Sequence, residues 1–556
     1  MLAANDAKTE IVHIDVETKK KTSICSYVEV TRIIKKIPNT LEDELEVLIR
    51  DEKEETTCRI PLSKIYEEKE VLAILAGSHL FIHPKFKKAI FNYIIEQAWD
   101  KKKNQVYSYE NTCLGWQVVE GKNTFLYDET ALNNGKHAKC IRDVTSFKNG
   151  SEAEYNKLIT NVVIPSKELS LAYALGFSGV IISRLAKYRD LGVIIVGLSG
   201  KSTTGKTTSL QLIASIWGDT RDSSSFFVRN DASGLGFKAQ YAGMYGVPCL
   251  FDDITTNEKL DMSDFIYSSA KGQGRIVSNT KGQVDRSRLG FSGICITTSE
   301  MALTEHTRKD QGLFARLLDF GEISWTKSAQ ESDTIKNTVF ENYGFKGIKF
   351  AKKIENIPDE ILLKLYDKAL EEILPKLPVT DSFSSRVAKK YAAIKVTMDL
   401  HNKIFQHQLP TEEVIDMVLN LEITQVKSRD IVREAHDYLK EYFYTAKNCF
   451  DVKYKGGELV KAKSFKRTGV AVYKDDGLHL YIPTGTARAI LSEADYKQFK
   501  TYKKAWRDRG MLISPNERDS CAGTTMLNCR HYHLLYTDIV PQYIKDEEAE
   551  YDDDRD

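Results

Sequence analysis

An excess of charge of one sign is the first thing this sequence lacks: 79 Lys and Arg stand against 78 Asp and Glu over 556 residues, a formal net charge of +1. A chain without an overall basic balance binds a polyanion only through a local patch, with acid offset elsewhere. Part of that acid is plain in the final residues, "DEEAEYDDDRD", which read as a solvated tail. Apolar runs are also short. None reaches the roughly 18 residues that span a bilayer, and "MLAANDAKTE" has no signal-peptide pattern, so a cytoplasmic protein without a membrane partner is expected. The nine cysteines are scattered, and Cys249 and Cys295 sit inside apolar runs, which favours buried free thiols over a disulfide framework. There is no internal repeat and no low-complexity segment apart from the tail. The length implies two to four domains.

What is present is punctuated periodicity. "TEIVHIDV" alternates as a strand does, and "PKFKKAIFNYIIEQAWDKKKNQ" reads as a helix running into a basic linker. "YENTCLGWQVVEGKNTFLYDE" reads as a hairpin turning at Glu120 to Asn123. A long helix begins at the Pro165-Ser166 cap. Between about 190 and 322, short apolar strands alternate with helical stretches, the pattern of a parallel α/β sheet. Residues 350–445 are mostly helical, and 450–540 mix strands with short helices. The expected architecture is multidomain α/β: an N-terminal α+β domain (1–105), a P-loop ATPase core with a preceding hairpin and helix (106–345), a helical lid or linker (346–445), a winged-helix-like domain (446–545) and the acidic tail (546–556).

The chemistry is concentrated in "GVIIVGLSGKSTTGKTTSLQ". Gly200, Gly205, Lys206 and Thr207 have the spacing of a phosphate-binding loop, with strand before and helix after. The glycines let backbone N–H groups turn around phosphate oxygens, and the helix start presents unpaired N–H groups to the same anion. Ser202, Thr203, Thr204 and Thr208 complete the cradle. Lys206 would reach the β- and γ-phosphates of ATP, and Thr207 would ligate Mg²⁺. Forty-five residues on, "VPCLFDDIT" delivers Asp252 and Asp253 to a strand end, Asp252 to hold Mg²⁺ and Asp253 to polarise the attacking water. "GFSGICITTSE" reads as a strand between the two motif strands, with Thr298, or Ser299 behind it, positioned to orient that water.

The loop, acidic strand and polar-tipped strand, in this order and spacing, resemble AAA+ ATPases. Over roughly residues 106–400, "GLSGKSTTGKTTSLQLIASIWGD", "KGQGR" and "FARLLDF" resemble the MCM-like replicative helicases of phages, plasmids and staphylococcal mobile elements, among them the cassette-chromosome helicase and pathogenicity-island Rep proteins. The resemblance implies further roles. Arg316 falls where such motors place an arginine finger that completes a neighbour's site, and Arg386 where they keep a second-sensor arginine. Asp253 departs from the customary Glu, which leaves room for weak hydrolysis.

Between the acidic and sensor strands, Lys271, Arg275, Lys281, Arg286 and Arg288 face one acid, Asp285, in two short arms around "NTKG". In MCM-like motors a hairpin at this place grips nucleic acid in the ring channel. A second cationic region follows. "DVKYKGGELVKAKSFKRTG" carries Lys453, Lys455, Lys461, Lys463, Lys466 and Arg467. "YKQFKTYKKAWRDRG" then reads as a basic helix stopped at Gly510 and followed by a two-stranded wing; Lys503, Lys504, Arg507 and Arg509 would face phosphates and Trp506 would pack inward. Cys521, Cys529, His531 and His533 lack a standard zinc spacing. The expected function is an ATP-driven hexameric helicase acting on single-stranded and forked DNA, with other replication proteins as further partners. An ATPase that remodels protein or loads another helicase, and a nucleotide-gated DNA-binding initiator with little turnover, stay open beside it.

Overall fold

In the computed structural model, the described residues are 2–39, 41–132, 135–142, 144, 146–221, 241–256, 260–272, 289–307, 311–321, 323–377, 382–405, 407–428, 430–496, 498–513 and 527–539. The chain divides into two compact units, Met1–Ala302 with Leu318–Asp416, and Leu303–Leu317 with Met417–Asp556.

The first unit is built on a long strand, Lys21–Ile37, which buries Val28 and Val30 before a bulge at Val30–Arg32 and Ile33 and Ile37 after it. It pairs antiparallel with Glu10–Ile14 and Glu44–Arg50. The helix Lys87–Lys103 buries Ile90, Ile94 and Ala98 in the same core. The sheet continues beyond residue 105: Tyr107–Asn111 adds parallel to the long strand, and His137–Cys140 adds parallel to that. The expected hairpin is Leu114–Val119 with Lys122–Leu126, turning at Glu120 and Gly121, both with positive φ.

A four-stranded sheet carries the motif strands, in the order Cys249–Phe251, Ile294–Ser299, Ile194–Ser199, Leu317–Asp319. The first three are mutually parallel. Fully buried on both faces, they read as continuous apolar runs with polar residues only at their C-terminal ends. Cys249 and Cys295 are direct Cα partners there. Burial pushes the Cys249 thiol up to about 12 and raises that of Cys295 well above its ordinary value.

Against this sheet lies the helix Lys167–Leu185, capped by Ser166, whose hydroxyl accepts the Leu169 N–H at 3.2 Å. It is long and apolar enough to cross a membrane, contrary to the expectation from run lengths, but every residue from Leu169 to Leu185 is buried in the unit. A helix that is apolar all round is a core helix when the fold surrounds it, and the helices Lys206–Ser215 and Ser382–Ile404 pack against this one. Its approach to the strands depends on missing side chains. A Cβ on Gly179 would stand 2.6 Å from the Gly246 carbonyl oxygen, and one on Gly293 3.2 Å from that of Gly179.

The second unit holds a five-stranded sheet in the order Leu459–Val460, Phe450–Lys453, Gly469–Lys474, Gly477–Pro483, His531–Tyr536. His531–Tyr536 runs antiparallel to Gly477–Pro483 along its whole length. On its other edge the chain just after Gly510 pairs with it antiparallel at Leu512–Leu534, with the Ile513 N–H donating to the His533 carbonyl at 2.8 Å and the Leu535 N–H to the Met511 carbonyl at 3.0 Å. The turn expected between these two segments lies outside the described residues. The helix Phe499–Asp508 forms where expected and turns Trp506 inward, its indole N–H donating to the Val432 carbonyl at 2.6 Å.

Two expectations follow. Gly179→Ala should lower stability by about 1–3 kcal/mol, because a methyl cannot enter without parting helix from strand; a denaturation midpoint unchanged from wild type would show that the contact yields. Acid should also weaken the fold. Burial pushes the His401 imidazole down to about 3 and that of His436 to about 4. The unfolded chain therefore takes up protons below about pH 6.5 that the folded chain refuses, and stability falls from there by up to about 1.4 kcal/mol per pH unit for each histidine. His401 packs edge-on and tilted among the rings of Tyr173, Phe177 and Phe405, so His401→Phe should flatten that slope in urea titrations between pH 6.5 and 4.

Candidate nucleotide site

The glycine-rich loop leaves the strand Ile194–Ser199 and enters the helix Lys206–Ser215. Three of its residues have positive φ: Gly200 at 133°, Thr203 at 71° and Gly205 at 85°. Gly205 is required twice over, by its left-handed backbone and because a Cβ there would stand 2.4 Å from Thr326 Oγ1. The loop is further tied by the Trp325 N–H, which donates to the Thr204 carbonyl at 2.8 Å. Lys206 closes it from within: its ammonium donates to the carbonyls of Gly200 at 2.7 Å and Lys201 at 2.8 Å. Burial lowers the lysine pKa, while Glu300, Asp253 and Asp252 pull it back up.

The acidic strand and its neighbour meet the loop at one atom. Asp252 Oδ1 accepts the Thr298 hydroxyl at 2.6 Å and the Thr207 hydroxyl at 3.1 Å. Thr298 Oγ1 in turn accepts the Asp253 N–H at 2.7 Å. A helix start and two strand ends, separated by 45 and 46 residues of chain, are thus locked by side chains of the motifs. Asp253 itself has a φ of 52°, uncommon for a residue with a Cβ, and this bend turns it away from the line of the strand. Ser299 bonds locally to the Met301 carbonyl at 2.7 Å, so the hydroxyl aimed at the acidic strand is that of Thr298. Ser202 and Thr203 lie in the loop, and Thr208 faces away from it toward Ser332 at 2.5 Å.

One residue of the cluster escaped the sequence reading. Glu300, the last letter of "CITTSE", accepts the Ser202 hydroxyl at 2.9 Å and places a carboxylate at the phosphate loop. Its only sequence signal is its place just past a polar strand tip.

The other expected residues are not gathered here. Arg316 belongs to the second unit, where its guanidinium donates to the Gly312 carbonyl at 2.5 Å. Arg386 is exposed on the first turns of the helix Ser382–Ile404. Lys271 is exposed just beyond the helix Met262–Ala270. Arg275, Lys281, Arg286, Arg288, Cys521 and the acidic tail lie outside the described residues. In the second unit Lys504 is exposed, and Lys503 and Arg507 are half-buried. His531 bonds to the Cys529 carbonyl and His533 to His479, both at 2.8 Å.

A family model described as a domain of unknown function (DUF927) matches residues 7–289, more than half of the chain and inclusive of the loop and both aspartates. The chain belongs to this DUF927 family. No curated protein matches the sequence. Among solved structures, the SCCmec type IV Cch active helicase is similar in fold, with a TM-score of 0.78 at 19% identity, covering 98% of each chain. This DUF927 chain therefore has a mixed α/β, multi-sheet fold like that of a helicase over essentially its full length.

The carboxylate of Glu300 bears on anion binding. It would repel a phosphate entering the loop, so if the loop binds ATP, Glu300→Gln should tighten binding of a fluorescent ATP analogue by about two- to fivefold at low salt, the range for an exposed charge near a ligand. An affinity unchanged in both low and high salt would remove Glu300 from the site.

Proposed function

We propose that this chain is an AAA+ ATPase that binds and hydrolyses ATP and uses it to translocate on single-stranded DNA and unwind duplex DNA as a hexamer. The observation that carries the reading is the convergence of Thr207, Asp252 and Thr298 on one carboxylate oxygen beside a glycine loop sealed by Lys206. The whole-length likeness to a helicase structure supports it.

The residues fit the cofactor. Thr207 Oγ1 and Asp252 Oδ1, a hydroxyl and a carboxylate already in contact, are the hard oxygen donors that Mg²⁺ takes, and when bound the ion supplies charge neutralisation at the phosphates. Lys206 exchanges its two carbonyl partners for phosphate oxygens, and the loop N–H groups cradle the anion. Asp253 accepts the proton of the attacking water, and Thr298 holds Asp252 and the Asp253 backbone in register. Arg316 acts on the neighbouring subunit's nucleotide, and Arg386 senses it within the subunit. The basic arms from Lys271 to Arg288 grip the DNA backbone. The basic helix bearing Lys503, Lys504 and Arg507 makes a second contact in a winged-helix-like domain. The work is done in the cytoplasm, in company with other replication proteins of a phage or mobile element.

A second reading, nucleotide-gated DNA binding with little turnover, draws on Asp253, which is one methylene shorter than the customary Glu. Strand displacement on forked DNA with ATP decides between them. Lys206→Ala and Arg316→Ala should each abolish nearly all ATPase activity. Loss of a trans-acting finger costs on the order of 10³-fold in turnover. Mixed, the two variants should regain activity, because rings then pair the intact loop of one with the intact finger of the other. Mixed oligomers seen by native mass spectrometry but as inactive as either variant would sink the trans assignment.

A further inference from the structure

The second unit displays an aromatic ring in water. Phe465 is fully exposed, its 111% relative accessibility exceeding even that of the extended reference state. Burying a phenylalanine is worth about 1.5–3 kcal/mol, so a ring held out from its own fold has forgone that gain.

Nothing about the segment suggests a loose end. The Ala462 N–H donates to Asp451 Oδ1 at 2.9 Å, the Ser464 N–H to the Asn448 carbonyl at 3.0 Å, and the Thr468 N–H to the Cys449 carbonyl at 2.7 Å. The Lys466 N–H donates to the Ser464 hydroxyl at 3.2 Å, and Arg467 pairs with Asp451. The backbone is thus pinned on both sides of Phe465, and pinning fixes where the ring projects.

The flanking charges are of one sign. Lys461, Lys463 and Lys466 are exposed, and among the described residues none of them makes an ion pair. The nearby acid Asp451 is engaged by Arg467, and Lys455 is engaged by Asp475. What remains is a rigid loop with one bare aromatic face among three unpaired ammonium groups.

We infer that the Ala462–Thr468 loop is a binding site for single-stranded DNA, with Phe465 stacking on an unpaired base and Lys461, Lys463 and Lys466 contacting the flanking phosphates. Charge complementarity selects this occupant. Lysine is depleted in protein–protein interfaces, whereas an aromatic platform inside a cationic track is the recurrent solution for single strands, because every base has a π-face and every nucleotide a phosphate. The identity of the occupant rests on the reading of the chain as a DNA motor; the geometry of the loop does not.

The test uses the full-length protein without nucleotide, with fluorescence anisotropy on a labelled thymine oligonucleotide and on an abasic oligomer of the same length. Phe465→Ala should weaken thymine binding by about tenfold, the scale of one base–aromatic stack, and leave abasic binding unchanged. Phe465→Trp should restore thymine binding. Replacing Lys461, Lys463 and Lys466 together by Gln should weaken both ligands and reduce the salt slope by about two units, near 0.7 for each phosphate contact on a single strand. ATPase activity without DNA should stay at the wild-type level in all of these variants. Wild-type thymine affinity in Phe465→Ala would overturn the inference, as would an equal loss on the abasic oligomer. If wild type hydrolyses ATP and binds the oligonucleotide while Phe465→Ala changes nothing, the loop alone is wrong. A wild-type protein that binds no single strand overturns the DNA reading and the loop with it. An anionic vesicle or protein that protects Phe465 where DNA does not would assign the loop to that partner and likewise overturn it.

Discussion

One oxygen atom organises the candidate nucleotide site. Asp252 Oδ1 takes the hydroxyls of Thr207 and Thr298, and through them fixes the start of a helix and the ends of two strands relative to one another. A carboxylate accepts such bonds more strongly than a neutral group does, so this contact holds its neighbours without a bound ligand. The same atom is the one a divalent cation would claim. The proposed metal donors, Thr207 and Asp252, are kept in place by bonding to each other.

That junction is steady only because the layers beneath it are close. The helix Lys167–Leu185 reaches the strands through Gly179, Gly246 and Gly293: carbonyl oxygens occupy the space a side chain would need at Gly179 and Gly293, and the Trp116 and Phe125 rings and the Val180 Cα crowd that of Gly246. Dense packing of this kind has no intermediate setting: it is seated or it is not. The polar residues then collect at the strand ends, since the strand interiors are buried on both faces and admit none. Site and core are consequences of one arrangement.

How much of this was legible follows from how local each signal is. The phosphate loop is contiguous, and its glycines are forced by backbone angles and space that any sequence meeting the same need must satisfy. Asp252 and Thr298 were legible because an apolar run that ends abruptly in polar residues marks a buried strand tip. Glu300 was not, because its role arises when the chain returns to a loop 98 residues earlier. The pairing of "HYHLLY" with Gly477–Pro483 was not legible for a related reason: alternation marks a strand but does not name its neighbour, which is a long-range matter. The long helix was legible from its Pro165-Ser166 cap, but its apolar length was underestimated because serines and glycines interrupt the run, although the fold buries them as well. Phe465 stood in a basic stretch already marked for DNA, yet no pattern in the letters tells an outward ring from an inward one.

The pairing of Cys249 with Cys295 across two buried strands has a practical consequence for chemical labelling. Reactivity with maleimides and iodoacetamides belongs to the thiolate, and burial holds the Cys249 thiol near 12 and that of Cys295 higher still. Both lie in the four-stranded sheet and stay unmodified while the protein is folded. Among the described cysteines Cys529, in the second unit, is exposed, and Cys449 there and Cys140 in the first unit are half-exposed. Burial raises the Cys140 thiol as well, so a dye added to the native protein reaches Cys529 first, and labelling of Cys249 and Cys295 becomes a chemical record that the four-stranded sheet has opened.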